Sequence, residues 1–315
     1  MKEIGGYLGL EQLVNRPWYD DLIPVNSGRN ALLYLIRARN IQKLYIPAFL
    51  CDSVSNLCDR YGFAYETYPI HADFTPDFER TLGEGEWLYI VNFYGQILPD
   101  AAKAYQARFG NVILDNVQAF FQRPVPGMDT VYSCRKFFGV PDGGYAATDA
   151  VLEESLETDV SKDRMRHVLG RFEGCGSDYY RDFQANDEAF ETMPLQTMSR
   201  LTKNILGAVD YEAVKQKRNE NYACLTRYLG EKNSLKLTSP DGPYCYPYYC
   251  KDGMALKKWL AGHKVYVATL WPNVLCLEGT LEKDYAENIL PLPCDQRYDT
   301  SDMERICQLL AQWEK

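Results

Sequence analysis

No stretch of this chain is apolar for long enough to cross a membrane, and no surplus of positive charge favours a phosphate-rich partner. Against 34 lysines and arginines stand 43 aspartates and glutamates, a formal net charge of −9. Nucleic acid or an anionic membrane would require a basic face, so neither is expected as a partner. Histidine is scarce: His71, His167 and His263 lie far apart and form no ligand-spaced pair, which argues against a metal site. The ten cysteines include no CxxC pair, and Met1 to Leu8 lacks a signal-peptide pattern. The thiols therefore read as reduced and mostly buried, and the chain as cytoplasmic. There is no internal repeat and no low-complexity segment. No GxGxxG follows the first strand, which counts against a Rossmann-type oxidoreductase.

The composition is that of an ordinary globular protein, 46% hydrophobic and 24% charged, and 315 residues suit a large domain plus a smaller one. Met1 to Asn26 is a leader without sustained periodicity. Ser27 is an N-cap for a helix whose apolar positions recur from Ala31 to Ile36. Lys43–Pro47, Phe63–Ile70, Trp87–Tyr94 and Val112–Leu114 read as strands, with helices over Asp52–Tyr61 and Ala101–Phe109. Continuous apolar strands separated by helices predict a mostly parallel, doubly wound α/β sheet. Beyond Asp149, helices are expected over Glu153–Gly170, Leu195–Val209, Tyr211–Leu229, Met254–His263 and Asp302–Trp313. Strands are expected at Tyr244–Tyr249 and Val265–Leu270, with a turn around Pro291–Pro293. The domain change is placed near Ala208–Asp210, giving a large domain over 1–208 and a small α+β domain over 209–315.

The chemistry concentrates between Asn111 and Asp149. The run Val112-Ile113-Leu114 stops at Asp115, and Gln118 follows one helical turn later. Thr130-Val131-Tyr132 then delivers Ser133 and Lys136 into a loop closed by Gly143-Gly144. An acid and a lysine thus stand at the ends of two consecutive buried strands, the edge where open α/β sheets bind ligands. Pyridoxal phosphate (PLP) chemistry uses this pair: the lysine forms a Schiff base, and the carboxylate keeps the pyridine nitrogen protonated. A lysine set between a strand and Phe137-Phe138 also differs from an ordinary solvated one. The helix start at Ser27-Gly28-Arg29-Asn30 offers backbone donors and a dipole for a phosphate.

Taken together, NSGRNAL, YIPAFLCDSV, YIVNFYG, VILDNVQAF, YSCRKFFGVPDGGYAATD and ILPLPCDQRY resemble successive blocks of the DegT/DnrJ/StrS aminotransferases, a branch of the fold-type I PLP enzymes. The resemblance runs from about Ser27 to the C-terminal helix. It implies the fold-type I large domain with a small C-terminal domain, in a homodimer with active sites at the interface. It matches Lys136 to the internal-aldimine lysine, Asp115 to the partner of the pyridine nitrogen and Gln118 to a ring contact. Gly28, Arg29, Asn30 and Ser133 fall at the cofactor phosphate.

The chain departs from the family in places. Arg29-Asn30 replaces the usual Thr-Ala, and Arg29 serves either the phosphate or a substrate carboxylate. Ser133 is closer to the lysine than is usual. Cys51 occupies the position of the aromatic ring-stacker; Phe49 is the alternative stacker, and no stacking is the third possibility. The turn that reaches into the partner's site has no clean match, though Ser177–Arg181 lies where it belongs, with Tyr180 or Arg181 expected near the partner's phosphate. The resemblance implies an aminotransferase that takes a small-molecule amino donor and a carbonyl acceptor, such as a keto-sugar or nucleotide-sugar. Arg297 is a candidate for the donor's carboxylate. The alternatives are another PLP reaction (lyase, dehydratase or racemase) or a catalytically idle PLP-fold binding protein.

Overall fold

In the computed structural model, which describes residues 6–314, the chain joins its sheet earlier than its periodicity suggests. The leader, whose first five residues lie outside the described ones, ends in a short strand, β1 (Ile23–Val25). β1 is an edge strand, which is where Pro24, with no N–H to donate, can be tolerated. Ser27 then caps α1 (Gly28–Ala38), its Oγ accepting from Asn30 N at 3.0 Å. Every residue from Asn30 to Ile36 is buried, so α1 is a core helix. There follow β2 (Lys43–Pro47), α2 (Ser53–Tyr61), β3 (Ala64–Tyr68), β4 (Glu86–Val91), α3 (Pro99–Phe109), β5 (Val112–Asp115), β6 (Asp129–Ser133) and β7 (Gly144–Ala147).

These strands form one seven-stranded sheet in the order β1-β7-β6-β5-β4-β2-β3. β3, β2, β4, β5 and β6 run parallel; β7 pairs antiparallel with β6, and β1 antiparallel with β7. The fold is α/β, a mostly parallel sheet with helices. Two local readings need correction. The strand at Trp87 stops at Val91, and Phe93–Gly95 is a 3-10 turn with Tyr94 at φ 56°. There the Asn92 side chain takes over from the ladder, accepting from Ile97 N at 2.7 Å and donating to Asn116 Oδ1 at 2.9 Å. Nor does a helix follow Asp115: its Oδ1 accepts from Val117 N at 2.8 Å, and Gln118 sits in a tight turn.

After β7 come α4 (Arg166–Glu173), α5 (Tyr180–Ala189), α6 (Arg200–Leu206) and α7 (Tyr211–Leu229). The helix expected over Glu153–Gly170 exists only from Arg166. Ahead of it, Asp159 N donates to Thr197 O, and the Asp159 carboxylate is buried against Arg164. Leu195–Met198 is extended rather than helical because it runs beside β1: Asn26 N donates to Gln196 O and Met198 N to Pro24 O. Ser199 then caps α6.

The remaining chain gives β8 (Tyr246–Tyr249), α8 (Gly253–Gly262), α9 (Leu281–Asn288), β9 (Ile289–Leu292) and α10 (Thr300–Trp313). Val265–Leu270 pairs with no strand, contrary to expectation. The expected turn at Pro291 is instead a strand, β9, antiparallel to β8 with Pro291 opposite Pro247. A separate apolar cluster gathers Leu225, Tyr246, Leu256, Leu260, Leu292 and Ile306. α7 bridges two cores: Tyr211 packs with the aromatics under the large sheet, and Leu225 with this cluster. Among the described residues no helix is long and apolar enough to cross a membrane.

Candidate active site

The site is built on the carboxyl ends of β5 and β6 and the start of α1. Two glycines let these meet. A Cβ on Gly144 would lie 2.6 Å from Ser27 C and 2.7 Å from Gly28 N, and one on Gly28 would lie 3.2 Å from Ser133 Cβ. Side chains at either position would push the helix start away from the strand ends. Ser27 Oγ takes the amide of Asn30, and Ser27 O that of Ala31. The amides of Gly28 and Arg29 remain for a ligand.

Gly28, Arg29, Cys51, Asp115, Ser133 and Lys136 line one cavity of about 670 Å³. Asp115, the last residue of β5, is 3% exposed. Its Oδ2 accepts from Tyr89 Oη at 2.6 Å. Burial pushes its carboxyl above the usual range, while the Tyr89 and Val117 hydrogen bonds and the charge of Lys136 pull it back. A cation placed against this carboxylate would relieve the cost of its burial. Lys136 lines the same cavity from the β6–β7 loop, its Nζ 5.7 Å from the centre of the Tyr244 ring.

The loop that carries Lys136 is held from below. Phe137 and Phe138 are buried among Tyr19, Phe120, Phe121 and Tyr145. Phe120 meets Phe138 edge-on at 4.9 Å, a favourable aromatic geometry. At the loop's far end, Asp142 accepts from Ser199 N and Oγ at 2.8 and 2.7 Å and from Thr202 Oγ1.

Arginines crowd the end of the cavity near α1. Arg29 Nη2 meets Glu191 at 2.9 Å, while its Nε and Nη1 are buried without a hydrogen-bond partner. Arg135 Nη2 meets Asp187 of α5 at 3.0 Å, and its guanidinium lies 4.6 Å from the Phe190 ring centre. Unused buried donors are expensive, so two on one guanidinium beside a helix start describe a place for an anion.

Some of the expected residues lie elsewhere. Asn30 does not line the cavity; its amide donates to Asn26 Oδ1 at 2.7 Å and Pro194 O at 2.8 Å, tying α1 to the segment beside β1. Gln118 does not line it either: its Oε1 accepts from Tyr94 N at 2.7 Å, holding the strained turn after β4. Phe49 is fully buried against Phe93, Trp271 and Tyr285, so it cannot serve as a ring-stacker; Cys51 lines the cavity with its Sγ 3.0 Å from Ser53 Oγ. Arg297 reaches the cavity wall with its fork already on Asp295, at 2.6 and 2.8 Å. Tyr180 and Arg181 do not line this chain's cavity, whereas Phe183 and Asp187 of the same helix do.

Three residues of the site were missed in the sequence. Tyr89 lies mid-strand on β4, where nothing distinguishes it from a core aromatic. Tyr244 and Arg135 had no signal beyond being, respectively, aromatic near a strand and next to the lysine.

Neither a family model nor a curated protein sequence matches this chain. Solved structures do. NtdA from Bacillus subtilis, with the cofactor PMP bound, superposes with a TM-score of 0.66 at 16% identity, over 92% of this chain and 72% of that one. A DegT DnrJ EryC1 StrS aminotransferase from Brucella abortus gives 0.60 at 14% identity, over 93% and 85%. The sugar aminotransferase CalS13 from Micromonospora echinospora gives 0.60 at 13% identity, over 92% and 86%. The fold is therefore that of the fold-type I PLP-dependent aminotransferases.

Proposed function

We propose that this chain is a PLP-dependent aminotransferase. One observation carries the reading: Lys136 and Asp115 line a single cavity, near enough for the lysine's charge to lower the carboxyl, with a helix start and the unpartnered donors of Arg29 beside them. The residues fit the cofactor at both poles. Gly28 and Arg29 amides, the Arg29 guanidinium and the Ser133 hydroxyl would hold its phosphate. Asp115 would hold its ring nitrogen.

When bound, the cofactor supplies an electron sink for the carbon that bears the transferred amine. The chain's own residues do the rest. Asp115 keeps a positive charge at the ring nitrogen, itself oriented by Tyr89 Oη and Val117 N–H. Lys136 would carry the cofactor on Nζ and, once the donor's amine has displaced it there, the freed Nζ would move the proton as general base and acid. Tyr244 bounds the space in which Nζ swings. Phe183 and Phe190 line the cavity with apolar surface.

The substrates would be an amino donor and a carbonyl acceptor. A keto-sugar acceptor is supported by the sugar aminotransferases among the structural neighbours. Arg297 could meet a donor carboxylate only by sharing its fork with Asp295. We place the enzyme in the cytoplasm as a homodimer of two-domain subunits divided at 208/209. The exposed Leu169, Phe172, Tyr180 and Phe183 of α4 and α5 support a subunit contact there.

The test is chemical. Protein purified with PLP should be yellow, and borohydride should leave a pyridoxyl mass on the peptide containing Lys136. An adduct on another lysine, or none, overturns the assignment. Loss of the visible band on adding amino donors then distinguishes an aminotransferase from an idle binding protein.

A further inference from the structure

Arg218 of α7 is 1% exposed, yet no carboxylate forms an ion pair with it among the described residues. A buried guanidinium without an acid is costly, and an apolar side chain of similar size would fill the space more cheaply. The direction of its bonds supplies a reason for keeping it. Nε donates to Gln296 Oε1 at 2.8 Å, Nη1 to Pro243 O at 2.8 Å and more weakly to Tyr244 O at 3.4 Å, and Nη2 to Phe137 O at 3.2 Å. Gln296 in turn donates to the same Phe137 carbonyl at 2.7 Å. The guanidinium also lies 4.5 Å from the centre of the Phe137 ring.

Of these acceptors Tyr244 lines the cavity, and Phe137, Pro243 and Gln296 each adjoin in sequence a residue that does. Phe137 is the residue after Lys136. Tyr244 supplies the ring below Nζ, and Gln296 stands between Asp295 and Arg297. Phe137 N and Phe138 N both donate to Cys134 O. Of the two peptide units that follow Lys136, the first is held from within the loop and the second both from the loop and from the small lobe.

We propose that Arg218 is a positioning residue for Lys136, fixing the lysine loop against Tyr244 and Gln296 so that Nζ stands in reach of both Tyr244 and Asp115. The proposal rests on the reading that Lys136 carries the cofactor. It assigns Arg218 no contact with substrate or cofactor. Its effect is the reach of one nitrogen, and a misplacement of about 1 Å in a catalytic group costs on the order of 10²-fold in rate.

Arg218→Ala and Gln296→Leu would be compared with wild type after thermal melts establish that they fold. PLP would be titrated into each protein, the absorbance of the bound form followed against pH, and kcat and KM measured with an amino donor. Both variants should bind PLP, show a displaced midpoint in the absorbance titration and lose kcat by about tenfold or more, with KM changed by less than about threefold. Low concentrations of guanidinium should partly restore the midpoint and kcat of Arg218→Ala, where methylammonium should not. A folded Arg218→Ala with the wild-type midpoint and kcat overturns the proposal. If Arg218→Ala does not fold, Gln296→Leu decides, and wild-type behaviour there overturns it too. Failure of borohydride to mark Lys136 in the wild type is a separate outcome that sinks the underlying reading itself.

Discussion

At the scale of single residues, the site is a set of charges placed where water is scarce. Asp115→Asn should retain PLP through the phosphate end but lose turnover by more than about tenfold, roughly 1.4 kcal/mol in barrier, because the ring nitrogen loses its charged partner. Single-turnover absorbance with an amino donor checks this, and a smaller loss would remove Asp115 from its role. Tyr89→Phe tests the layer behind it. The variant deletes a 2.6 Å hydrogen bond to a buried carboxylate, the kind worth about 1.5–3 kcal/mol. It should push the carboxyl still higher and lower turnover at neutral pH by about tenfold or more, with PLP still bound through its phosphate end. Unchanged turnover would mean that Val117 N–H orients Asp115 unaided. Tyr89 itself stays a donor throughout, since burial next to Asp115 holds its hydroxyl well above the ordinary range.

At the scale of elements, the decisive contact is α1 against β6 and β7. Gly144→Ala puts a methyl group 2.6 Å from Ser27 C and 2.7 Å from Gly28 N, and both are backbone atoms with nowhere to go. Overpacking of this kind costs about 1–3 kcal/mol, and here the strain is released by moving the phosphate end of the cavity. We expect a lower urea midpoint together with a PLP affinity that falls further than stability alone explains. Equal affinity in the folded variant would show that the α1 start does not hold the phosphate. The aromatic floor acts differently. Phe120→Ala should cost about 3–5 kcal/mol in stability, because Phe120 is fully buried among Tyr19, Phe138 and Tyr211.

For the whole molecule, the ten free cysteines shape the response to base. Burial pushes the Cys58 and Cys294 thiols up to about 12 and Cys307 up to about 11, with Cys134 and Cys245 well above the ordinary value of 9.0. In the unfolded chain these thiols ionise near 9. Their folded values are raised, so the stability they provide is complete below pH 9 and is lost as pH climbs through 9 to 12. Each thiol held protonated removes about 1.4 kcal/mol per pH unit in that window. Lys257 works with the opposite sign: burial lowers it to about 8 from 10.5, so its penalty fades as pH rises from 8 to 10.5. One lysine against five thiols leaves a net loss. Urea midpoints should hold to about pH 9 and then fall steeply; a flat profile up to about pH 10.5 would mean that the thiols are not sealed from water.

What was legible in the sequence was local. Ser27 caps its own helix three residues on, and a buried strand announces itself by an unbroken apolar run. Asp115, Ser133 and Lys136 were placed at strand ends because such ends are marked by where those runs stop. The residues that bring the site together were not legible, since their meaning depends on neighbours remote in the chain. Tyr89 finds Asp115 across 26 residues, Arg218 finds Phe137 across 81, and Asn30 turns to Pro194 rather than to the cavity. Gln118 turned inward because the backbone of Tyr94, forced to positive φ, needed an acceptor for its amide. Val265–Leu270 has strand-forming residues but no strand beside it, while Ile289–Leu292, with a proline in its middle, found one in β8. Hydrogen-bond pairing between strands and the direction of a buried amide are properties of what lies opposite, and only the folded chain decides what that is.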